Sequence, residues 1–447
     1  MNPMLSSLPS ALSIPTFAEM RERTQRLRAR NDITVYQVGE DRDGEPIEMI
    51  ALGDGMTHVL VIGAPHPNEP IGCIGIEWLI ERFASDAELL RETGCRWYFI
   101  KAIEPYALKQ NEEWFGQPDV ARYLQHYYRP MSGAQAEYSF PPPSTESSGA
   151  WQASPENEAY QEALKTARPD LLVSLHNAES SGAFYFISRD DPALAAQLST
   201  QACAHGLPLN LLGEEAPDVR EAPLAPGVFL LVKEASPPDE AREQPGLSVT
   251  AWLAGQAAPA PLFLVPEVPL FLDRHQGNAF ASMDACLDSV REMAWPAKLE
   301  TLLAERLGSL EVDATPIEQL YLHAIREAVP LSVKLVDALP ALKTQAEPGD
   351  FEAQVRAQVL ITLRPMALAR RLAALRAART ELGELGARSA RALEQACARD
   401  LSMALESPLL RDAFQRVPLR AAVATQLDAV LSAAQAVSGQ RSATAQP

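Results

Sequence analysis

The 447-residue chain has few cysteines and no long apolar run. None of the cysteines belongs to a CxxC pair, and together they are Cys73, Cys95, Cys203, Cys286 and Cys397. This pattern argues against a thiolate zinc site or a disulfide framework, and it is typical of proteins in a reducing compartment. Because no window of about 18 apolar residues occurs, we expect no membrane span.

Basic residues are also in deficit, since the net charge is -19. A protein that binds nucleic acid needs a basic face for the phosphates, so the charge argues against a nucleic-acid partner. The first stretch, MNPMLSSLPSALSIPTFAEM, lacks a basic segment followed by a continuous apolar core. We therefore expect no secretory signal and a cytoplasmic location.

Several sequence signatures of catalysis or nucleotide binding are missing. The chain contains no GxSxG elbow, no phosphate-binding P-loop and no GxGxxG after a strand. These absences argue against a serine hydrolase of the α/β-hydrolase type, a P-loop nucleotidase and a dinucleotide-dependent enzyme.

What the sequence does contain, from residue 30 to about 290, is an alternation of strand-like and helix-like segments. HVLVIGA (58–64) and LLVSLHN (171–177) are short, apolar and β-branched, as expected for buried strands. IGCIGIEWLIERF (71–83) is helix-like, and Pro70 fits the first turn of that helix. The alternation predicts an α/β fold, with a mixed, mostly parallel, twisted sheet that carries helices on both faces.

The composition changes at Trp295-Pro296, where strand patterns give way to segments rich in Ala, Leu and Arg. We therefore divide the chain into an N-terminal segment (1–29), a catalytic domain (30–295) and an all-helical C-terminal extension (296–447). In the extension a leucine stripe recurs near helical spacing and needs a partner surface, at Leu368, Leu372, Leu375, Leu382 and Leu385. The extension is expected either to form a homo-oligomer or to cover one side of the pocket.

Two metal-capable side chains stand in GAPHPNEPIG, directly after the first buried strand. His66 and Glu69 are three residues apart, and His176 ends the second buried strand. In open α/β sheets, ligands gather beyond the carboxyl ends of the strands. Two histidines and one glutamate would form a His₂Glu zinc site with one position open for water. A surface or structural role is the alternative for an isolated HxxE pair.

Glu267 is the one carboxylate within the apolar stretch PLFLVPEVPLF. A buried carboxylate is unfavourable unless it has a partner or serves catalysis with a raised pKa. A zinc-activated water needs a general base, and Glu267 is the candidate. The alternative is a core glutamate that pairs with an arginine.

The order HxxE, then SLHN, then a glutamate on a late strand resembles the zinc carboxypeptidase family over residues 50–290. The resemblance implies one zinc ion per chain bound by His66, Glu69 and His176, with Glu267 as general base. It implies a hydrolase that cleaves a peptide or amide bond in a small peptide or an amide-linked metabolite. Two alternatives remain: an amidohydrolase of N-acyl amino acids, as in the related desuccinylase and aspartoacylase branch, and a catalytically silent peptide-binding member.

The family holds the substrate carboxylate with an arginine, and RYLQHYYRP (122–130) lies where that stretch belongs. Gln125 stands at the expected arginine position, so either Arg122 or Arg129 takes over the role or the substrate is not an ordinary free peptide C-terminus. We favour Arg129, because Pro130 stiffens its segment. A surface ion pair is the alternative for either arginine, and His126 is expected to line the pocket or to pack beside it.

Overall fold

The computed structural model describes residues 2–117, 119–142, 152–213, 223–231, 246–256, 260–275, 279–311 and 313–444. The strands within these ranges are β1 (Ile33–Glu40), β2 (Pro46–Leu52), β3 (Thr57–Gly63), β4 (Cys95–Ile100), β5 (Leu171–Ala178), β6 (Phe184–Ile187), β7 (Val228–Leu230), β8 (Leu262–Pro269), β9 (Phe271–Asp273) and β10 (Phe414–Arg416). Strand β3, which precedes His66 and Glu69, and strand β5, which contains His176, lie within one residue of where the sequence predicts them.

The first eight strands form one sheet in the order β1-β2-β4-β3-β5-β8-β6-β7. The central strands β4, β3, β5 and β8 run parallel, whereas β1, β2 and β4 pair antiparallel and β6 runs antiparallel to β8. The side chains of β3 and β5 are buried almost throughout, as expected for parallel strands covered on both faces. The predicted mixed, mostly parallel sheet is confirmed.

The helices in the described residues are α1 (Phe17–Leu27), α2 (Ile71–Ser85), α3 (Ala87–Glu92), α4 (Pro105–Lys109), α5 (Val120–His126), α6 (Pro155–Ala167), α7 (Pro192–Ala204), α8 (Val249–Ala254), α9 (Met283–Glu292), α10 (Trp295–Thr301), α11 (Gly308–Glu311), α12 (Pro316–Ala338), α13 (Pro348–Thr362), α14 (Arg364–Ala377), α15 (Gly383–Leu405) and α16 (Leu419–Thr444). Helix α2 begins at Ile71, so Pro70 caps it and does not belong to its first turn. Among the described residues, no helix combines the length and apolar character that crossing a membrane requires.

Helix α2 packs closely against the sheet and against the C-terminal helix, and glycines make this possible. A Cβ on Gly72 would lie 2.5 Å from the Cβ of Leu175 on β5, and one on Gly75 would lie 3.0 Å from Leu427 on α16. Helix α6 packs on the opposite face, where Ala159 and Ala163 join the apolar cluster of that side. The sheet is therefore covered on both faces, and its central strands lie in the core.

The C-terminal helices are joined to the sheet by extensive contacts. Helix α16 contacts β3, β5 and β8 as well as α2 and α7, and β10 pairs with β9. His205 Nε2 lies 2.9 Å from the Asp428 carboxylate, which ties α7 to α16. The domain boundary at 295–296 stays a prediction. Helix α16 covers the same face of the sheet as α2.

The leucine stripe finds its partner surface within the chain. Leu368 and Leu372 are buried, because α14 packs against α12 and α15. Leu385 is 76% exposed. We expected a homo-oligomer because the leucine stripe needs a covering surface. For the buried part of the stripe, other helices of the same chain supply that surface, so self-association gains no support.

Candidate active site

The turn after β3 carries the first two candidate ligands in a constrained backbone. Ala64, directly after β3, has a φ of 43°, which is the left-handed region that non-glycine residues seldom adopt. The Ile71 amide donates to Asn177 Oδ1 at 3.0 Å, so the start of α2 is held against the end of β5. Backbone strain of this kind persists where the surroundings over-determine it, as they do at many functional sites. The turn brings His66 and Glu69 next to the end of β5.

His176 lies at the centre of the site. Its Nδ1 lies 3.1 Å from Glu69 Oε2 and 3.7 Å from Glu267 Oε1, and its Nε2 lies 3.1 Å from Glu137 Oε2. Parallel pairing of β5 with β8 places His176 directly opposite Glu267. Burial alone would lower the pKa of His176, but Glu137 and Glu267 raise it well above its usual value. The carboxylates of Glu69, Glu137 and Glu267 thus all lie within 4 Å of the His176 ring nitrogens.

His66 completes the pair of histidines. Its ring centroid lies 4.7 Å from that of His176, and the ring of Tyr138 stacks on it at 5.6 Å with an interplanar angle of 7°. Burial, followed by the charge of Arg129, lowers the pKa of His66 well below its usual value. The Nδ1 atom is buried, and no hydrogen bond from a described residue satisfies it. A neutral imidazole with an unsatisfied buried nitrogen has the properties of a metal ligand.

Glu69 is held as a carboxylate by three neighbours. Arg129 Nη1 lies 3.0 Å from Oε1, the Asn177 amide donates to Oε2 at 3.0 Å, and His176 contacts the same oxygen. Burial would raise the pKa of Glu69, but the hydrogen bond and charge of His176, together with Arg129, lower it. Glu69 is therefore ionised, as metal binding requires.

The donor atoms fall into two groups that share His176. One consists of His66, Glu137 and His176, and the other of Glu69, His176 and Glu267, each with its donor atoms within 4.8 Å of one another. The set expected from the sequence (His66, Glu69 and His176) is divided between them. All these residues are donors that zinc prefers.

The charge balance of the site also suits a divalent cation. Three carboxylates contact His176 and one guanidinium contacts the first of them, which leaves two negative charges in excess among these contacts; the residues are Glu69, Glu137, Glu267 and Arg129. Excess buried charge is unfavourable, and a proton on His176 offsets part of it. A dication would neutralise the excess and release that proton, so the residues fit a metal ion.

Glu137 and Tyr138 are site residues that the sequence analysis missed. Both lie in the long segment between β4 and α6, where no periodic pattern marks them. The Glu137 carboxylate is buried and accepts a hydrogen bond from the Ser174 hydroxyl on β5. The only local signal is the length of the segment, because long loops in compact domains are often functional. The Pro- and Ser-rich part of that segment (143–151) lies outside the described residues.

Of the predicted substrate-binding residues, the structure brings only Arg129 to the histidines. Its Nε also donates to Gln135 Oε1 at 3.3 Å. Arg122 donates to the Glu113 carbonyl at 2.8 Å, and His126 lies 3.4 Å from the Glu113 carboxylate. Gln125 is exposed. Arg122, Gln125 and His126 all lie on α5, whose buried face presents Tyr123 to the site instead.

The C-terminal helices contribute polar groups to the site. Arg364, the first residue of α14, pairs with Glu179, which also accepts from the Tyr123 hydroxyl at 2.8 Å. Gln426 on α16 donates to the His176 carbonyl at 2.8 Å. Neither residue is a ligand candidate, but both support the end of β5. The extension therefore takes part in building the site, which its composition did not indicate.

Comparisons with known proteins give matches among solved structures. No family model matches the chain, and no curated protein matches it. Carboxypeptidase A from Helicoverpa armigera is 13% identical with a TM-score of 0.37, over 60% of this chain and 68% of that one. The metallo-carboxypeptidase from Burkholderia cenocepacia is 16% identical with a TM-score of 0.35, over 57% and 60%.

The metallo-carboxypeptidase from Pseudomonas aeruginosa, in complex with (2-guanidinoethylmercapto)succinic acid, is also 16% identical, with a TM-score of 0.32 over 57% of this chain and 60% of that one. Each of these three solved structures is a carboxypeptidase. All three TM-scores are below 0.5, so we infer function from the side chains of the site.

Proposed function

We propose that the protein is a zinc-dependent hydrolase of the carboxypeptidase type, which cleaves a peptide or amide bond with Glu267 as general base. The observation that carries this proposal is the position of His176, which contacts Glu69 through Nδ1 and faces Glu267 across the β5–β8 pair. A ligand candidate and a base candidate thereby both lie within 4 Å of one imidazole nitrogen. This proximity is what metal-assisted hydrolysis requires.

His66, Glu69 and His176 would hold the ion. When bound, zinc supplies Lewis-acid polarisation of the scissile carbonyl and an acidified water. Glu267 has a side chain 14% exposed, more than Glu69 or Glu137, so it is the carboxylate of the three that is most open to water. Its carboxylate would accept the water proton and deliver it to the leaving amine.

Arg129 would act at the same place in two ways. Its contact with Glu69 orients that ligand. A guanidinium has five N–H donors, so contacts with Glu69 and Gln135 do not use all of them. The remaining donors suit a substrate carboxylate, which a guanidinium binds more strongly than a neutral donor does.

The first experiment measures metal. Protein stripped with a chelator is reloaded with zinc, and bound metal is determined by elemental analysis for the parent, His66→Ala, Glu69→Ala and His176→Ala. We expect one zinc per chain in the parent and loss of zinc in the three variants. His58→Ala is the matched control. His58 lies at the start of β3, the end away from the site, and contacts the Ala167 carbonyl, so its replacement should leave zinc binding unchanged. Full occupancy in either histidine variant would contradict the assignment.

The second experiment measures turnover on three substrate classes: small peptides with a free carboxyl terminus, the same peptides as amides, and N-acyl amino acids. A carboxypeptidase cleaves the first class best, and an amidohydrolase of the desuccinylase and aspartoacylase type cleaves the third. If zinc is bound but no class is cleaved, the catalytically silent alternative holds and the proposed activity is wrong.

A further inference from the structure

Glu137 occupies a position that the proposed reaction leaves without a role. Its carboxylate lies among the ligand candidates, 3.1 Å from His176 Nε2 and 3.9 Å from His66 Nε2, whereas Glu267 lies 3.7 Å from the other nitrogen of His176, Nδ1. Its other oxygen accepts from the Ser174 hydroxyl, two residues before His176 on the same strand. Glu137 therefore contacts His176 through one carboxylate oxygen and Ser174 through the other.

Three hydrogen bonds fix the main chain at Ala136 and Glu137. The preceding Ala136 amide donates to Glu104 Oε1 at 2.6 Å, and the Ala136 carbonyl accepts from the Asn157 side chain at 2.6 Å. The Glu137 carbonyl accepts from the Val249 amide at 2.9 Å. A side chain whose main chain and carboxylate are both anchored can orient a neighbour precisely.

We propose that Glu137 is a positioning residue, which holds the proton of His176 on Nε2 and thereby presents Nδ1 to a divalent metal ion. The inference rests on the proposed function. A neutral imidazole carries one N–H, so a hydrogen bond from Nε2–H to Glu137 leaves the lone pair on Nδ1, the atom that faces Glu69 and Glu267. Carboxylates that accept from the second nitrogen of a ligating histidine commonly fix its tautomer and orientation.

The competing arrangement makes Glu137 itself a ligand, together with the Nε2 atoms of the two histidines. Two observations favour the positioning role. Glu137 Oε1 already accepts a hydrogen bond from Ser174, and Oε2 lies 3.1 Å from His176 Nε2. The Nδ1 side of His176 also carries Glu267, whose side chain is 14% exposed against 5% for Glu137, so this side is the more open to solvent.

The test uses full-length protein and zinc or cobalt ions as probes. Zinc affinity of the metal-free parent, Glu137→Gln and Ser174→Ala is measured by competition with a chelator. We expect zinc binding about 10- to 100-fold weaker in Glu137→Gln and a smaller loss in Ser174→Ala. The matched control is Glu156→Gln, because Glu156 is a buried carboxylate that pairs with Arg42 and contacts neither histidine. Its zinc affinity should equal that of the parent.

Two spectroscopic readouts separate positioning from ligation and from packing. The visible spectrum of the cobalt-loaded protein should be the same in the parent and in both variants, because the ligand set is unchanged. In ¹⁵N spectra of zinc-loaded parent, His176 should carry its proton on Nε2, with the Nε2–H resonance shifted in Glu137→Gln. Ser174→Ala, which leaves the carboxylate in place, keeps the test informative if Glu137→Gln does not fold.

Two results would overturn the positioning role alone. An altered cobalt spectrum in Glu137→Gln would make Glu137 a ligand, and unchanged zinc affinity with an unchanged Nε2–H resonance would reduce it to packing. A parent that binds no zinc would overturn the proposed function and this inference together, so the two failures are distinguishable.

Discussion

His176 on β5 is the register partner of Glu267 on β8, with Nδ1 3.7 Å from Oε1. Parallel pairing holds the two side chains at the same height on the sheet, so no loop movement is needed to bring base and ligand together. Glu267→Gln keeps the shape and removes the base. We expect turnover to fall by about 10²- to 10⁴-fold, with zinc content unchanged in elemental analysis. Near-parental turnover would make Glu267 structural, and loss of zinc would make it a ligand.

Arg129 should decide whether a free carboxylate is preferred. We expect the parent to cleave a free-acid peptide faster than its C-terminal amide, because charge-assisted hydrogen bonds are roughly twice as strong as neutral ones. Arg129→Ala should remove that preference. Arg122→Ala is the matched comparison, since its guanidinium contacts the Glu113 carbonyl instead. If the parent cleaves both substrates equally and Arg129→Ala changes neither rate, the hypothesis of an exopeptidase is wrong.

Removing Arg364 from its ion pair with Glu179 should be strongly destabilising. Glu179 is fully buried, so Arg364→Ala leaves a buried carboxylate without its guanidinium. Breaking such a pair costs about 3–5 kcal/mol of unfolding free energy, measurable by urea denaturation. Arg291→Ala is the control, because Arg291 and its partner Asp288 are both largely exposed and such pairs contribute about 0–1 kcal/mol. Equal losses in the two variants would contradict this prediction.

Glu104 should make stability depend on pH. Burial, followed by the charge of Glu156, raises the pKa of Glu104 to about 8. Because the folded-state pKa exceeds the unfolded value, the folded state binds a proton that the unfolded state releases. The stabilisation is therefore complete below the ordinary glutamate pKa and is lost as the pH rises through about 8.

Glu104→Gln removes this titration. The unfolding free energy of Glu104→Gln should rise relative to that of the parent between pH 5 and pH 8. In this range the unfolded parent releases the Glu104 proton that the folded parent keeps, and the variant has no such proton. Urea denaturation of both proteins across this range, at constant ionic strength, measures the difference. A difference that is independent of pH would contradict the raised pKa.

Packing of α16 on α2 should be essential to the fold. Leu427 is buried against Gly75, and Leu427→Ala should cost about 2–5 kcal/mol of unfolding free energy. Leu385→Ala, at a position 76% exposed, should change it by less than about 0.5 kcal/mol. A chain that ends at Pro296 would lose α16 and expose the apolar face of α2, so we expect no cooperative unfolding transition. A truncated chain that unfolds cooperatively would contradict this.

How much of the site could be predicted depended on whether a local pattern marked each residue. His66, Glu69 and His176 follow short apolar runs, and a strand followed by a turn is visible within ten or so letters. Glu267 stood out because it interrupts such a run. Glu137 does not stand out in this way, because its segment has no regular pattern of apolar residues from which a buried carboxylate could be recognised.

The sequence by itself determined the class of fold, the strands that lead to the site and the residue types offered there. Only the tertiary structure decided that Glu137 faces both histidines, that Arg129 contacts Glu69, and that Arg364 and Gln426 support β5 from the helical extension. The physical reason is that periodicity reports burial of neighbouring residues, which is local. Contacts between residues a hundred or more positions apart depend on strand order and helix packing, which no local pattern specifies.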